Sequence, residues 1–310
     1  MPRLIVAVTL FIGVLLPLGR FGRVHAQTAP PSPGPTTLCI SRPAFLARLK
    51  VSEPVYIDID ANGPVLRYRA SCAQDIRTYQ PRNWQIAGTV ADYTLDRDGD
   101  IYLFSAPYVS LERNPLWKQN NLYRIGSQTG LMSLFLHLPW AQAPTTANPF
   151  GIMGMAYDCD THSLYVSSIA GSTPQQELGR IFQIDLAHRT IVDVMEDVDA
   201  FGLMVYRGPD GKRLYYGSAR DSGVRSVPLT DTGAIVPEPR LEFYLAQAPG
   251  GRDHRAFRIF FPQPGVMKVQ GGEFFYSLGV SYKSTGLDYI YRYDSDSNTW
   301  QFESITPRTP

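Results

Sequence analysis

The sequence predicts an all-β protein, a β-propeller built from four-stranded antiparallel blades. Two observations carry this prediction: short apolar strands recur at even spacing, and turn-forming residues separate them. Helical periodicity is weak along the chain. A four-stranded unit repeated roughly every 40–60 residues cannot bury both of its faces alone, so such units stack around an axis as propeller blades.

An apolar–aromatic pair opens a strand in each of five copies of the repeat. The five pairs are Val55-Tyr56, Ile101-Tyr102, Leu164-Tyr165, Leu214-Tyr215 and Phe274-Phe275. A second strand follows each pair, as VLRY (65–68), LYRI (122–125), IFQI (181–184), VRSV (224–227) and IYRY (290–293). A third strand follows most copies, as in TIVDVME (190–196). We therefore count five blades. The chain after residue 26 would also hold six blades if the stretches at 107–121 and 246–262 contain strands.

Turns and a repeated glycine phrase complete the pattern. The Asp-Gly turns in DRDGD (96–100) and GPDGK (208–212) favour tight hairpins, since glycine accepts a positive φ. The phrase glycine–aliphatic–methionine occurs three times, at 151–153, 202–204 and 265–267. We predict that it is the innermost strand of three blades, where glycine lets backbones approach the axis.

The first 26 residues have the pattern of a signal peptide. A basic Arg3 precedes an apolar run from Leu4 to Leu18, and Val24-His25-Ala26 fits a small-residue cleavage site. An uncleaved anchor is the alternative, but the run is short for a membrane span of roughly 20 residues. We expect a secreted or periplasmic protein with a proline-rich linker at 27–38 and a propeller domain at 39–310.

Composition and charge exclude some classes of partner. The formal net charge is only +1, so we expect no nucleic-acid binding, which usually needs a basic excess. No other stretch is apolar and long enough to span a membrane, and we expect a monomer. Export permits disulfides. Cys39 and Cys72 bracket the first folded unit and are the predicted pair, which leaves Cys159 as a small buried residue in a hairpin.

Three stretches resemble the NHL, gluconolactonase and YWTD-like propellers. They are VYIDIDANGPVLRY (55–68), GMAYDCDTHSLYVSSIAG (154–171) with GRIFQIDL (179–186), and FGLMVYRGPDGKRLYYGS (201–218). The enzymes of this group include metal-dependent lactonases and esterases whose axial metal is held by glutamate, asparagine and aspartate. The resemblance implies Glu53, Asn148 and Asp199 as candidate ligands of calcium or another divalent metal.

The sequence departs from that ligand pattern at the heads of the inner strands. Phenylalanine or proline stands where an oxygen ligand is expected, at Phe150, Phe201 and Pro264. Hard cations need several oxygen ligands, which an apolar rim does not supply. Our first hypothesis is therefore a non-catalytic ligand- or protein-binding module without a cofactor. The alternative is a metal-dependent hydrolase of the lactonase type.

Loops and the axial opening supply the predicted binding surface. Aromatic and arginine side chains on loops are common anchors of binding surfaces. The loop candidates are Arg113, Trp117, Arg252 and His254. Phe150 and Phe201 would form an apolar mouth for a small hydrophobic ligand or a partner's side chain. Equally, these two rings would plug the channel, and Trp117 would pack over a blade.

Acidic turns provide a weaker signal for metal binding. The residues Asp96, Asp98 and Asp100 alternate in a predicted hairpin, where calcium binding is conceivable but turn chemistry explains them. The segment from Asp58 to Gly63 has the spacing that opens a calcium loop. However, Arg69 stands where the closing glutamate belongs, so an ordinary hairpin is the favoured interpretation.

Overall fold

The computed structural model describes residues 33–60, 63–70, 75–106, 114–277 and 286–308. Their strands form five antiparallel sheets, which are the blades of a β-propeller. The predicted all-β fold and the count of five blades are confirmed.

The blades follow one another along the chain. Blade 1 has three described strands, β2 (Val51–Asp60), β3 (Gly63–Ala70) and β4 (Ile76–Tyr79). Blade 2 has β5 (Val90–Leu95), β6 (Ile101–Ser105), β7 (Asn121–Ile125) and β8 (Met132–His137). Blade 3 has β9 (Ile152–Asp158), β10 (Ser163–Ser168), β11 (Arg180–Asp185) and β12 (Thr190–Glu196).

The last two blades follow blade 3 along the chain. Blade 4 has β13 (Ala200–Gly208), β14 (Gly211–Ser218), β15 (Gly223–Pro228) and β16 (Arg240–Tyr244). Blade 5 has β17 (His254–Gln263), β18 (Val266–Glu273), β19 (Leu287–Asp294) and β20 (Thr299–Pro307). The short strand β1 (Gly34–Pro35) pairs with β13, so part of the predicted linker adds a strand to blade 4.

The helical segments within the described ranges are short 3₁₀ turns. They are Ala44–Leu49, Arg82–Ala87, Leu116–Lys118 and Leu245–Gln247. Of the helices in the described ranges, none has the length and apolar character that a membrane span requires.

The core lies between neighbouring blades. Every residue of β10 is buried, whereas β12 at the outer edge alternates between exposed and half-buried residues. A middle strand packs against blades on both faces and is therefore buried throughout, while an outer strand has one solvated face. Tyr215 of blade 4, for example, contacts Trp300 of blade 5 with 6.2 Å between ring centroids.

The glycine phrase is an inner strand in two of its three occurrences. In β13, Gly202 has a φ of +52°, and an added Cβ would lie 2.9 Å from the Arg258 nitrogen. Glycine therefore allows the close approach of inner strands that the sequence predicts. The third occurrence is different, because Gly265 is a turn residue and Val266 begins the second strand of blade 5. The inner strand there is β17, which begins within the stretch 246–262, and it belongs to blade 5 rather than to a sixth blade.

An axial cavity of about 410 Å³ lies among the inner strands of blades 2 to 5. Arg258 of β17 reaches across it to Asp92 of β5, at 3.3 Å between Nη2 and Oδ1. Burial raises the pKa of Asp92, although the Arg258 charge opposes this effect. Thr37 and Ile40, which follow β1, line the same cavity.

The predicted disulfide between Cys39 and Cys72 is wrong. Cys39 is bonded to Cys159, in the hairpin between β9 and β10. The reason is that the segment after β1 does not stay beside blade 1. It follows β13 and then passes the β9–β10 hairpin, where the Cys159 nitrogen donates to the Thr36 carbonyl oxygen at 3.0 Å. Cys72 lies outside the described residues.

Candidate functional site

The two ends of the blades differ in their connections. At one end lie the links that precede each inner strand and those between the second and third strands; we call this end the loop face. The opposite end carries the tight turns between the first and second strands, and we call it the hairpin face. Asn148, Asp199, Arg220 and Tyr276 all lie on links of the loop face.

Asp199 accepts hydrogen bonds from several links of the loop face. It directly precedes β13 and is 1% exposed. Its Oδ1 atom accepts hydrogen bonds from Ser172 Oγ at 2.5 Å and from the Gly179 nitrogen at 3.1 Å. Its Oδ2 atom accepts from Arg220 Nη1 at 2.9 Å and from Tyr276 Oη at 2.6 Å. We call these five residues the Asp199 network.

The Asp199 network joins three blades. Ser172 and Gly179 come from the link after β10, Arg220 follows β14, and Tyr276 follows β18. Burial raises the pKa of Tyr276, and the hydrogen bond to Asp199 raises it further, so the phenol stays protonated as a donor. With two donors on each oxygen, the carboxylate is fully satisfied by protein groups.

Glu177 extends the network. Its Oε1 atom accepts a hydrogen bond from the Asp199 nitrogen at 2.7 Å. Burial raises the pKa of Glu177, and the nearby Asp199 charge acts in the same direction. Arg220 is 3.8 Å from the other Glu177 oxygen, so the same guanidinium faces both carboxylates.

Asn148 is likewise used for structure. Its Nδ2 atom donates to the carbonyl oxygens of Ile169 at 3.1 Å and Ser172 at 2.6 Å. Its Oδ1 atom accepts from the Phe150 nitrogen at 3.1 Å. Asn148 and Asp199 therefore both hold the link after β10, and each does so through Ser172. The side chain of Glu53, the third residue of the predicted metal set, lies outside the described residues.

A pocket of about 500 Å³ opens beside the Asp199 network. Its lining includes Ala147, Pro174, Arg220, Arg255, Phe274 and Tyr276. We call it the loop-face pocket. Arg220 is held by Asp199 and by the Pro174 carbonyl oxygen at 2.7 Å, and its guanidinium lies 5.8 Å from the Tyr276 ring centre. The pocket thus combines aromatic walls with two arginine side chains.

Aromatic rings form the floor between this pocket and the axis. Phe201 is 0% exposed and stacks on Phe257 at 5.1 Å between centroids. Phe274 contacts Phe201 at 4.7 Å and the half-buried Phe150 at 5.2 Å. Of the two interpretations that the sequence left open, Phe201 fits the plug rather than the mouth. Phe150 contacts Phe274, and Phe274 lines the pocket.

The predicted loop residues differ in their exposure. Trp117 is 61% exposed, with Lys118 Nζ 5.3 Å from its ring centre. Arg113 lies outside the described residues. Arg252 is exposed, whereas His254 is buried, with Nδ1 2.8 Å from Tyr289 Oη. Burial lowers the pKa of His254, so the ring is a neutral structural group near neutral pH.

Sequence reasoning missed Arg220 and Tyr276 as members of the site, and it named Arg255 only as part of a candidate binding loop, 248–258, without placing it beside them. The signal available was their position, since Arg220 and Tyr276 each follow a second strand and Arg255 opens an inner strand. Antiparallel alternation places these positions at the same end of every blade. However, the positions of Arg255 and Tyr276 can be recognised only when the start of β17 and the end of β18 are known.

A second group of side chains that could bind a metal ion lies on the hairpin face. Oxygen and nitrogen atoms of Asp96, Asp98 and His162 lie within 4.8 Å of one another. Asp96 Oδ1 accepts from the Asp98 and Asp100 nitrogens, both at 2.9 Å, and Oδ2 accepts from Tyr102 Oη at 3.2 Å. The three residues could hold a divalent cation, but the turn hydrogen bonds explain the arrangement of Asp96 without one.

No protein-family model matches the chain, and no curated protein sequence matches it. Among solved structures, it is similar to a luciferin-regenerating enzyme, with 12% identity, a TM-score of 0.46 and coverage of 89% of this chain and 80% of that chain. It is also similar to the N-terminal domain of Nup159, with 10% identity, a TM-score of 0.42 and coverage of 88% and 66%.

A third similar structure is a candidate 6-phosphogluconolactonase from Bacteroides fragilis. The identity is 10%, the TM-score is 0.39 and the coverage is 83% of this chain and 81% of that chain. At these identities and TM-scores, the function of none of the three proteins transfers to this chain.

Proposed function

We propose that this chain is an exported β-propeller that binds a small ligand in the loop-face pocket and does not transform it. The observation that carries the proposal is the pocket itself, a concave site with aromatic walls and convergent arginine side chains. Small-molecule sites are commonly apolar pockets with a few polar groups that fix the ligand's orientation.

The Asp199 network supports binding over catalysis. A general base or nucleophile needs a lone pair or proton that can reach the substrate. The oxygens of Asp199 accept four hydrogen bonds from protein groups, and Ser172 Oγ donates to Asp199 while accepting from the Leu178 nitrogen at 3.0 Å. Asn148 and Asp199 are satisfied without a cation, so the geometry favours a binding module over the metal-dependent lactonase.

The location and the wider family belong to the same proposal. The Cys39–Cys159 disulfide supports export, because disulfides persist in oxidising compartments. The signal peptide at 1–26 lies outside the described residues and stays a prediction, as does the monomeric state. We also propose a relationship to the NHL, gluconolactonase and YWTD-like propellers, which the three blade-forming stretches support.

A neutral fluorescent dye tests the proposed function. N-phenyl-1-naphthylamine carries no charge and fluoresces more strongly in an apolar site. We expect a saturable rise in its fluorescence with the mature protein. The substitution Ala147→Trp should abolish the rise, because residue 147 is exposed and its new ring would occupy the pocket without disturbing the core.

The matched control is Ala143→Trp, an equally exposed alanine of the same link that does not line the pocket. Thermal unfolding of both variants checks that they are folded. A wild-type protein that gives no saturable rise would contradict the proposed function. So would dye binding that is the same in Ala147→Trp and Ala143→Trp.

A further inference from the structure

Arg255 places a positive charge in the loop-face pocket that no described carboxylate neutralises. It is the second residue of β17 and is half-buried. Its Nε atom donates to the Ala219 carbonyl oxygen at 3.1 Å, and Nη1 donates to the Asp253 carbonyl oxygen at 3.3 Å. Its further acceptors, at 3.4 and 3.5 Å, are the carbonyl oxygens of His254 and Arg220. The described acceptors are all main-chain carbonyl oxygens. These oxygens orient the guanidinium, but they are uncharged and therefore do not neutralise its positive charge.

Arg220, the other arginine of the pocket, differs in this respect. Its charge is paired with Asp199 at 2.9 Å, and its Nη atoms also donate to the carbonyl oxygens of Thr173 and Pro174. Breaking that pair to reach a ligand would leave a buried carboxylate unpaired, which is costly. Arg255 is therefore the arginine that remains for an anion.

The walls of the pocket define the rest of the ligand. Phe274 and Tyr276 line it, with 5.0 Å between their ring centroids. Phe274 is fixed from behind by Phe150 and Phe201. An apolar body of a ligand would pack against rigid rings here, while the anionic end would face Arg255.

We propose that the loop-face pocket selects an organic carboxylate with an apolar body, and that Arg255 binds the carboxylate. This inference rests on the proposed function and names its ligand class. The carbonyl oxygens take four of the five N–H groups of Arg255, so one Nη2 N–H group and the guanidinium charge remain for a carboxylate. One uncompensated arginine balances a monoanion, whereas a phosphate dianion would need further donors or cations.

The test compares two ligands of the same shape, 1-naphthylacetate and its neutral analogue 1-naphthylacetamide. Isothermal titration calorimetry of the mature protein measures both affinities at low and high salt. We expect the acetate to bind about tenfold more tightly than the amide, as a charge-assisted hydrogen bond predicts. The acetate's affinity should fall as salt rises, because salt screens exposed charges, and the amide's should not.

Variants assign the selectivity to one residue. Arg255→Gln should bring the acetate and the amide to equal affinity, and Arg255→Lys should keep part of the difference. The control is Arg292→Gln, which removes a 58% exposed arginine of the same blade and should change neither affinity. The salt comparison on the wild-type protein remains decisive if Arg255→Gln does not fold.

The outcomes separate the two proposals. Equal, salt-independent binding of acetate and amide to the wild-type protein would overturn the carboxylate inference while the proposed binding function stands. Selectivity that persists in Arg255→Gln would overturn the role of Arg255. No binding of either naphthyl compound or of N-phenyl-1-naphthylamine would contradict the proposed function itself.

Discussion

The hairpin face and the loop face each bury an aspartate beside a cation of blade 4, but they use it differently. On the hairpin face, Asp158 is 0% exposed and accepts from Lys212 Nζ at 2.6 Å. Its other partners belong to its own turn, Asp160 and Thr161. Asp199 on the loop face instead collects donors from three separate links. The first aspartate shapes its own turn and ties it to one lysine of blade 4, and the second holds three separate links together beside a pocket.

The faces also differ in how they are closed. On the hairpin face, β1 pairs with Tyr206 and Arg207, and the Cys39–Cys159 disulfide joins the following residues to blade 3. The loop face has no such covalent fastening among the described residues, and its pocket is open. The comparison indicates that changes at the hairpin face alter stability alone, whereas changes in the Asp199 network alter both stability and binding.

The largest effect is expected from Asp199→Ala. The change leaves the Arg220 charge and the donors of Ser172, Gly179 and Tyr276 without their acceptor. Removing one partner of a buried ion pair costs about 3–5 kcal/mol, so the free energy of unfolding in urea should fall by that amount. Under conditions where the variant is folded, binding of N-phenyl-1-naphthylamine should be lost, because Arg220 and Tyr276 line the pocket.

Asp158→Ala is the matched variant on the hairpin face. It should destabilise the protein similarly, because Lys212 is 4% exposed and loses its buried partner. Dye binding should remain, since the pocket lies at the other end of the blades. Loss of dye binding in both variants, or in neither, would remove the distinction between the faces.

A smaller effect is expected from the double variant Cys39→Ser/Cys159→Ser. A disulfide that closes a long loop stabilises by about 2–4 kcal/mol, mainly by restricting the unfolded chain. The melting temperature should fall, while dye binding should be unchanged at temperatures where the variant is folded.

The pairing itself can be checked by mass spectrometry of unreduced proteolytic fragments. A fragment that links Cys39 to Cys159 is expected, and reductant should lower the wild-type melting temperature to that of the double variant. Linkage of Cys39 to Cys72 would contradict the account of the hairpin face.

The smallest effect concerns the pH dependence contributed by Glu177. Burial raises the pKa of this carboxyl above its ordinary value of 4.5, so folding disfavours its charged form. Its contribution to stability is fully present below pH 4.5 and is lost as the pH rises through the raised pKa. Melting temperatures of Glu177→Gln and wild type should therefore converge at low pH, with the variant gaining relative to wild type toward neutral pH. If the difference between the two melting temperatures instead widened as the pH falls, the pKa of Glu177 would not be raised in the folded protein, which would contradict this prediction.

The fold was predictable because hairpin turns and strand patterns are local. The turns at 96–100 and 208–212 lie where the sequence places them, since Asp-Gly sequences fix the chain direction by themselves. Strand β17 was missed because charged residues such as Arg255 and Arg258 interrupt its apolar pattern. The stretch 248–258 was therefore interpreted as a loop, although a Pro-Gly-Gly turn (249–251) precedes the strand. That omission shifted the third glycine phrase into an inner position that it does not have.

The candidate site was only partly predictable. Sequence reasoning found Asn148 and Asp199 at the heads of inner strands, but it gave them a role only as metal ligands in the alternative hydrolase hypothesis. Their true partners, such as Ser172 and Tyr276, are distant in sequence and meet only when blades 3, 4 and 5 are assembled. The disulfide was misassigned for the same reason, because Cys39 approaches Cys159 only through the pairing of β1 with β13.

The most direct test of the central claim is a crystal structure of the mature protein grown with 1-naphthylacetate. The account predicts the naphthyl ring against Phe274 and Tyr276, with the carboxylate within hydrogen-bonding distance of Arg255. A ligand bound in the axial cavity beside Arg258 and Asp92, or a loop-face pocket left empty at saturating ligand, would contradict it.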